Sequence, residues 1–153
     1  MKLDPKIFIQ IPPPVIAFAL LAAAGLIHRI LPFLEVMPST PFGGFVWAAS
    51  GVVLAASAAL QFRKLKTTVL PHGTPTELVT LGAYLWTRNP MYLGLLTILI
   101  GIALAFGTLP FFLAPWFFFL IINEIHIPYE EAVLSRKFGA AYERYLKRVR
   151  RWI

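Results

Sequence analysis

Two short segments of this sequence gather residue types that can hold a charged ligand. The first is Tyr84-Leu85-Trp86-Thr87-Arg88-Asn89-Pro90-Met91-Tyr92-Leu93-Gly94. Asn89 before Pro90 reads as a helix N-cap and first helical residue, which leaves backbone N–H groups at the positive end of the helix dipole. With Arg88 beside it, that end suits a carboxylate. The second is Asn123-Glu124-Ile125-His126-Ile127-Pro128-Tyr129-Glu130-Glu131. Its adjacent acids could hold an ammonium group, cap a helix or pair with neighbouring cations. The absence of cysteine removes disulfides, thiolate ligands and cysteine nucleophiles, and the 3 histidines are too widely separated to suggest a metal site.

The elements that must position these residues are strongly apolar. Hydrophobic residues make up 58% of the 153, against 14 basic and 7 acidic side chains, and the mean hydropathy is +0.72. Such a balance excludes an ordinary water-soluble domain. Uncharged stretches of 22, 27 and 35 residues follow Lys6, Glu35 and Arg88, and a membrane span needs roughly 17–25 apolar residues. The longest stretch holds two helices if it turns at Gly107-Thr108-Leu109-Pro110. The expectation is therefore an all-α integral-membrane bundle forming one domain, with four transmembrane helices near 13–30, 43–62, 90–106 and 110–127. Residues 1–62 supply two packing helices, and 79–153 form the functional core. Pro12-Pro13-Pro14 suits the entry of a long first helix better than the middle of a signal-peptide helix.

Beyond Tyr129 the apolar residues Leu134, Phe138, Tyr142, Tyr145, Val149 and Trp152 recur every three or four positions among Arg136, Lys137, Arg144, Lys147, Arg148 and Arg151. That pattern predicts a basic amphipathic helix lying on the membrane surface, with Gly139 inside it to allow a close backbone approach. In the second span Gly44, Ala48, Gly51, Ala55 and Ala59 form a small-residue stripe, and Gly94, Gly101 and Ala105 repeat it in the third. Stripes of this kind let backbones approach, within the chain or in a homodimer through the second helix. The aromatics Phe111, Phe112, Trp116, Phe117, Phe118 and Phe119 encircle the fourth span as lipid-facing and packing residues. A short turn between the third and fourth spans makes them antiparallel neighbours. Arg88 and Asn89 then face Glu124 and Glu130, forming a pocket with a cationic and an anionic end, as the amino-acid portion of a zwitterionic cofactor requires.

These segments resemble the isoprenylcysteine carboxyl methyltransferases and their bacterial and archaeal relatives, over roughly 79–153. Val79-Thr80, Gly82, Tyr84, Arg88, Pro90, Tyr92, Gly94 and Gly101 fit the first pattern of that family. Glu130-Glu131, Leu134, Phe138-Gly139, Tyr142, Tyr145 and Arg148-Val149 fit the second. Asn89 stands where the eukaryotic enzymes carry histidine, which puts an imidazole role in doubt. The resemblance implies a helical membrane methyltransferase that uses S-adenosylmethionine, with a lipophilic substrate arriving from the bilayer. It implies cofactor binding by Tyr84, Arg88, Asn89, Pro90, Tyr92, Gly94, Glu130 and Glu131, and closure or substrate orientation by Arg148 with Glu130. A phospholipid amine methyltransferase, an NADPH-dependent membrane reductase and a non-enzymatic scaffold are the competing readings.

Lys and Arg divide thirteen to one between the two faces of this four-span arrangement, Arg29 being the exception. The positive-inside rule then places both termini and the site in the cytoplasm, and assigns the basic residues to lipid headgroups rather than nucleic acid. A cytoplasmic reporter fused after Ile153 should be active, and a periplasmic reporter at the same point silent. The reverse pattern would invert the topology.

Overall fold

The computed structural model describes residues 9–32, 34–65 and 76–153. Lys2, Lys6 and Lys66 of the charge argument lie outside them. The described chain forms α1 (Pro13–Ile30), α2 (Pro41–Lys64), a 3-10 turn (Gly82–Leu85), α3 (Pro90–Phe106), α4 (Leu109–Ile121), a π-helical turn (Ile122–His126), α5 (Ile127–Phe138) and α6 (Ala140–Arg148). Prolines open α1, α2 and α3 at positions where the missing N–H has no helical acceptor. Gly107 closes α3 in the left-handed region at φ +70°, its N–H donating to the Ala103 carbonyl. Its own carbonyl accepts from the backbone of Val36 and Met37, so the loop after α1 is fastened across the turn into α4.

Three helical runs are long and apolar enough to cross a membrane: Pro13–Ile30, Pro41–Lys64 and Leu109–Phe138. The fourth apolar helix, Pro90–Phe106, has 17 residues, roughly 25 Å at 1.5 Å per residue. The result is an all-α membrane bundle. One expectation changes: the fourth apolar helix does not end near Ile127 but runs on through the π-turn to Phe138. Pro128 gives a reason for the irregularity, because its ring excludes the carbonyl four residues back and it has no N–H to donate.

A second correction concerns the C-terminal helix. The periodic stretch beyond Tyr129 is divided at Gly139, whose φ of +47° and ψ of −125° end α5 and start α6. A Cβ at Gly139 would meet nothing within 4 Å, so glycine is needed there for its backbone angles and not for a close approach. The apolar stripe of α6 is also occupied. Tyr142, Tyr145 and Val149 are buried with Leu78, Leu134, Phe138 and Leu146, so that stripe packs on protein.

The central core is formed by Ile16 and Ala17 of α1, Tyr92 and Leu99 of α3, and Phe118, Ile122 and Ile127 of the long run. The expected aromatic belt is accordingly split, with Phe111 and Phe118 buried and Trp116 and Phe117 exposed. α2 packs against α3 through glycine. A Cβ at Gly101 would lie 2.5 Å from the Ala48 nitrogen and 2.6 Å from the Gly44 carbonyl oxygen, and one at Gly94 would lie 2.7 Å from the Ala55 nitrogen. The small-residue stripe of α2 is thus used within the chain, against Gly94 and Gly101 of α3. Because backbone cannot move aside as a side chain can, Gly101→Ala should destabilise the protein by about 1–3 kcal/mol. Gly25→Ala, where nothing lies within 4 Å, should be near neutral, as thermal unfolding in detergent would show.

Candidate active site

The start of α3 and the end of the long helical run meet at the charged end of the bundle. An extra residue in the π-turn rotates the positions after it by roughly 100° relative to an uninterrupted helix. The two adjacent acids that follow serve different partners. Glu130 accepts a hydrogen bond from the Tyr92 hydroxyl. Glu131 accepts from Arg88 Nη2 at 3.0 Å and from Arg151 at two points, Nη2 at 2.6 Å and Nε at 3.2 Å. The bidentate geometry makes the Arg151 contact directional.

Arg151 reaches Glu131 because the chain leaves α6 through an extended Val149 and the strap of residues 149–152 lies beside the loop before α3. Thr87 and Arg150 form a parallel bridge, and the Arg88 N–H donates to the Arg150 carbonyl at 2.9 Å. The Thr87 hydroxyl and the Asn89 side-chain amide both donate to the Arg151 carbonyl, at 3.1 and 2.9 Å. Asn89 therefore holds the N-cap position without capping through its side chain; that amide secures the strap instead. Farther along, Trp152 Nε1 donates to Asn123 Oδ1 at 3.0 Å, and its ring lies 5.1 Å from that of Phe119.

Three tyrosines wall the remaining side. The Tyr145 hydroxyl donates to the Tyr84 carbonyl at 2.8 Å, which docks α6 on the 3-10 turn. Burial pushes the Tyr145 phenol up to about 12, with Arg88 acting in the opposite direction. Burial also raises Tyr84 and Tyr142, reinforced by the charges of Glu130 and Glu131 respectively. All three stay protonated at working pH and serve as neutral donors and walls rather than bases.

Among the residues singled out in the sequence, Arg88, Asn89, Glu131 and Tyr142 gather around the strap, and Tyr84, Pro90, Tyr92 and Glu130 border it on the bundle side. Two are not brought there. Gly94 faces Gly51 and Ala55 of α2, and Arg148 is exposed on α6. Arg151, three residues beyond Arg148, is the C-terminal arginine that pairs with Glu131. Of the other polar groups in the second segment, Glu124 is exposed and bonded to Asn123, while His126 is buried. The cationic and anionic groups expected at opposite ends of a pocket are in direct contact. Sequence periodicity had placed Arg151 and Trp152 on an interfacial helix, and only a pairing between residues some 60 positions apart reveals their place.

Since Glu131 joins two guanidiniums, its removal should cost more than the loss of either arginine. Side-chain exposures of 14% for Arg88, 20% for Glu131 and 34% for Arg151 keep the expected loss for Glu131→Ala at about 1–3 kcal/mol, below that of a fully buried pair. Arg88→Ala, which leaves Glu131 its Arg151 contact, should cost less. Limited proteolysis should cut near 149–152 sooner in Glu131→Ala than in Arg88→Ala.

Comparison with known proteins extends the match beyond the motifs. An uncharacterized protein of Haemophilus influenzae is 44% identical over 63 residues, which span all of that protein and 41% of this chain. No solved structure matches. The phospholipid methyltransferase family matches residues 40–141, from the residue before α2 through α3, the π-turn and both adjacent acids into the start of α6. With that match running through the loop that carries Arg88 and the helix that carries Glu131, the chain belongs to the phospholipid methyltransferase family of membrane methyltransferases, in the group of the isoprenylcysteine carboxyl methyltransferase type.

Proposed function

We propose that this protein transfers a methyl group from S-adenosylmethionine to an amphipathic acceptor at the cytoplasmic face of the membrane. The observation that carries the proposal is the buried Nε of Arg88, a donor with no hydrogen-bond partner among the described residues. A buried guanidinium N–H without an acceptor is costly, and a ligand carboxylate would satisfy it. Glu131, already in contact with two cations, supplies the complementary charge for an ammonium in the same place. This donor set fits the amino-acid end of S-adenosylmethionine, with Arg88 toward its carboxylate and Glu131 toward its amine.

When bound, the cofactor supplies a methyl group on a sulfonium, which a nucleophile held in line can take. The chain's own residues do the holding. Tyr92 fixes Glu130, Arg88 and Arg151 fix Glu131, and Tyr84, Tyr142 and Tyr145 keep the wall dry. Positioning and exclusion of water then lower the barrier. Glu131 is engaged by two arginines, and Glu130 keeps one oxygen, Oε2, outside its hydrogen bond with Tyr92; an acceptor that needs no base, such as a lipophilic carboxylate of isoprenoid type, asks least of this pair. A lipid headgroup amine is the second reading, favoured by the family match, and there Glu130 would be the proton acceptor.

Calorimetry in detergent should detect binding of S-adenosylhomocysteine and none of NADPH. Arg88→Ala and Glu131→Ala should each weaken that binding about 10- to 100-fold, equivalent to a charged hydrogen bond of ~1.5–3 kcal/mol. With labelled S-adenosylmethionine in liposomes, long-chain acceptors should be methylated faster than short soluble ones with the same headgroup. Carboxylate and amine headgroups on one chain separate the two readings. Equal rates for short and long chains would remove the membrane-borne acceptor, and binding of NADPH alone would remove the proposal.

A further inference from the structure

Beside the site, at the same end of the bundle, three large apolar residues stand in the open. Leu81, Leu85 and Trp86, in and around the 3-10 turn, are 56%, 60% and 83% exposed. None belongs to a helix of membrane length. The turn is held firmly, through the Tyr145–Tyr84 hydrogen bond and the pairing of Thr87 with Arg150, so the exposure of these side chains is built into the fold. Both contacts lead to one basic surface. Arg144, Lys147 and Arg148 of α6 and the adjoining Arg150 are exposed there, with Glu143 the one exposed acid on α6.

The apolar stripe of α6 cannot accompany those cations into lipid, because Tyr142, Tyr145 and Val149 are buried against protein. The exposed turn is the apolar surface that can. Trp beside aliphatic side chains suits the boundary between headgroups and acyl chains, and clustered Lys and Arg suit anionic headgroups within a Debye length of the surface. We propose that the turn around 81–86 inserts into the interfacial layer of an anionic leaflet, while Arg144, Lys147, Arg148 and Arg150 engage lipid phosphates. The charge complementarity selects a lipid surface over a second copy of this chain, whose matching face would be equally cationic. This anchoring is independent of which acceptor the site methylates.

The absence of cysteine allows a single fluorescent label at Trp86→Cys or Leu85→Cys, with Glu143→Cys as an aqueous reference. Each full-length variant would be reconstituted into vesicles of phosphatidylcholine alone or mixed with phosphatidylglycerol. Quenching by a lipid carrying a nitroxide near its headgroup would be compared with quenching by acrylamide. At 85 and 86 the lipid quencher should dominate several-fold, at 143 acrylamide should dominate, and the contrast should be larger in the anionic vesicles. Replacing Arg144 and Lys147 by glutamine should reduce that dependence on vesicle charge. Acrylamide quenching at 85 and 86 equal to that at 143 overturns insertion. Protection from both quenchers also overturns it, since protein then covers the turn. Equal results in neutral and anionic vesicles overturn the anionic assignment.

Discussion

The carboxylate of Glu131 joins three parts of the chain that have no local reason to meet. Arg88 belongs to the loop before α3, Glu131 to the extension of the fourth apolar helix, and Arg151 to the strap beyond α6, and two guanidiniums converge on one acid. In an apolar bundle such charges are tolerable only when they are paired and hydrogen-bonded. That requirement fixes the strap against the loop, where Thr87 and Asn89 both bond the Arg151 carbonyl. It also holds α6 over the end of the bundle, where the Tyr145 hydroxyl meets the Tyr84 carbonyl.

The remainder of the molecule sets the positions from which these groups reach one another. Lipid offers little hydrophobic incentive for helices to associate, so close backbone contact has to provide it. Gly44, Gly51, Gly94 and Gly101 allow α2 and α3 to approach until backbone meets backbone. α3 is thereby held along one side by α2, while Tyr92 and Leu99 pack toward α1 and the long run. Gly94, two residues from Tyr92, contributes to the site through this packing. The exposed turn at Leu81, Leu85 and Trp86 adds an apolar surface at the level where the charges begin.

This separation of polarity bears on the chemistry. Polar and charged side chains collect at one end, near Arg88 and Glu131, while the spans beyond Gly94 and before Asn123 are almost entirely apolar. A water-soluble, zwitterionic group suits the charged end, and a molecule with a long apolar tail suits the lipid beside the spans. The active site of a membrane methyltransferase needs both to meet at the interface, and the proposed reaction takes its economy from that placement: positioning and dryness matter more than a strong base.

Composition and charge spacing alone determined that this is an all-helical membrane chain, because uncharged stretches of 22, 27 and 35 residues have few other folded solutions. The limits of α1 and α3 were legible from proline and glycine, whose backbone constraints act locally. Glu130 and Glu131 stood out because ionisable side chains are expensive at such depth, Arg88 because it flanks a helix start, and Tyr92 through the family pattern. Other features needed tertiary structure. A π-turn at 122–126 changes which face the acids occupy, and periodicity counted at 3.6 residues per turn carries no sign of it. The φ of +47° at Gly139 turned one periodic stretch into two helices, and packing against Leu78 and Leu134 hid the stripe that had suggested a surface helix. Arg151 reaches Glu131 because the strap pairs with a loop about 60 residues earlier, a long-range contact that no local pattern encodes.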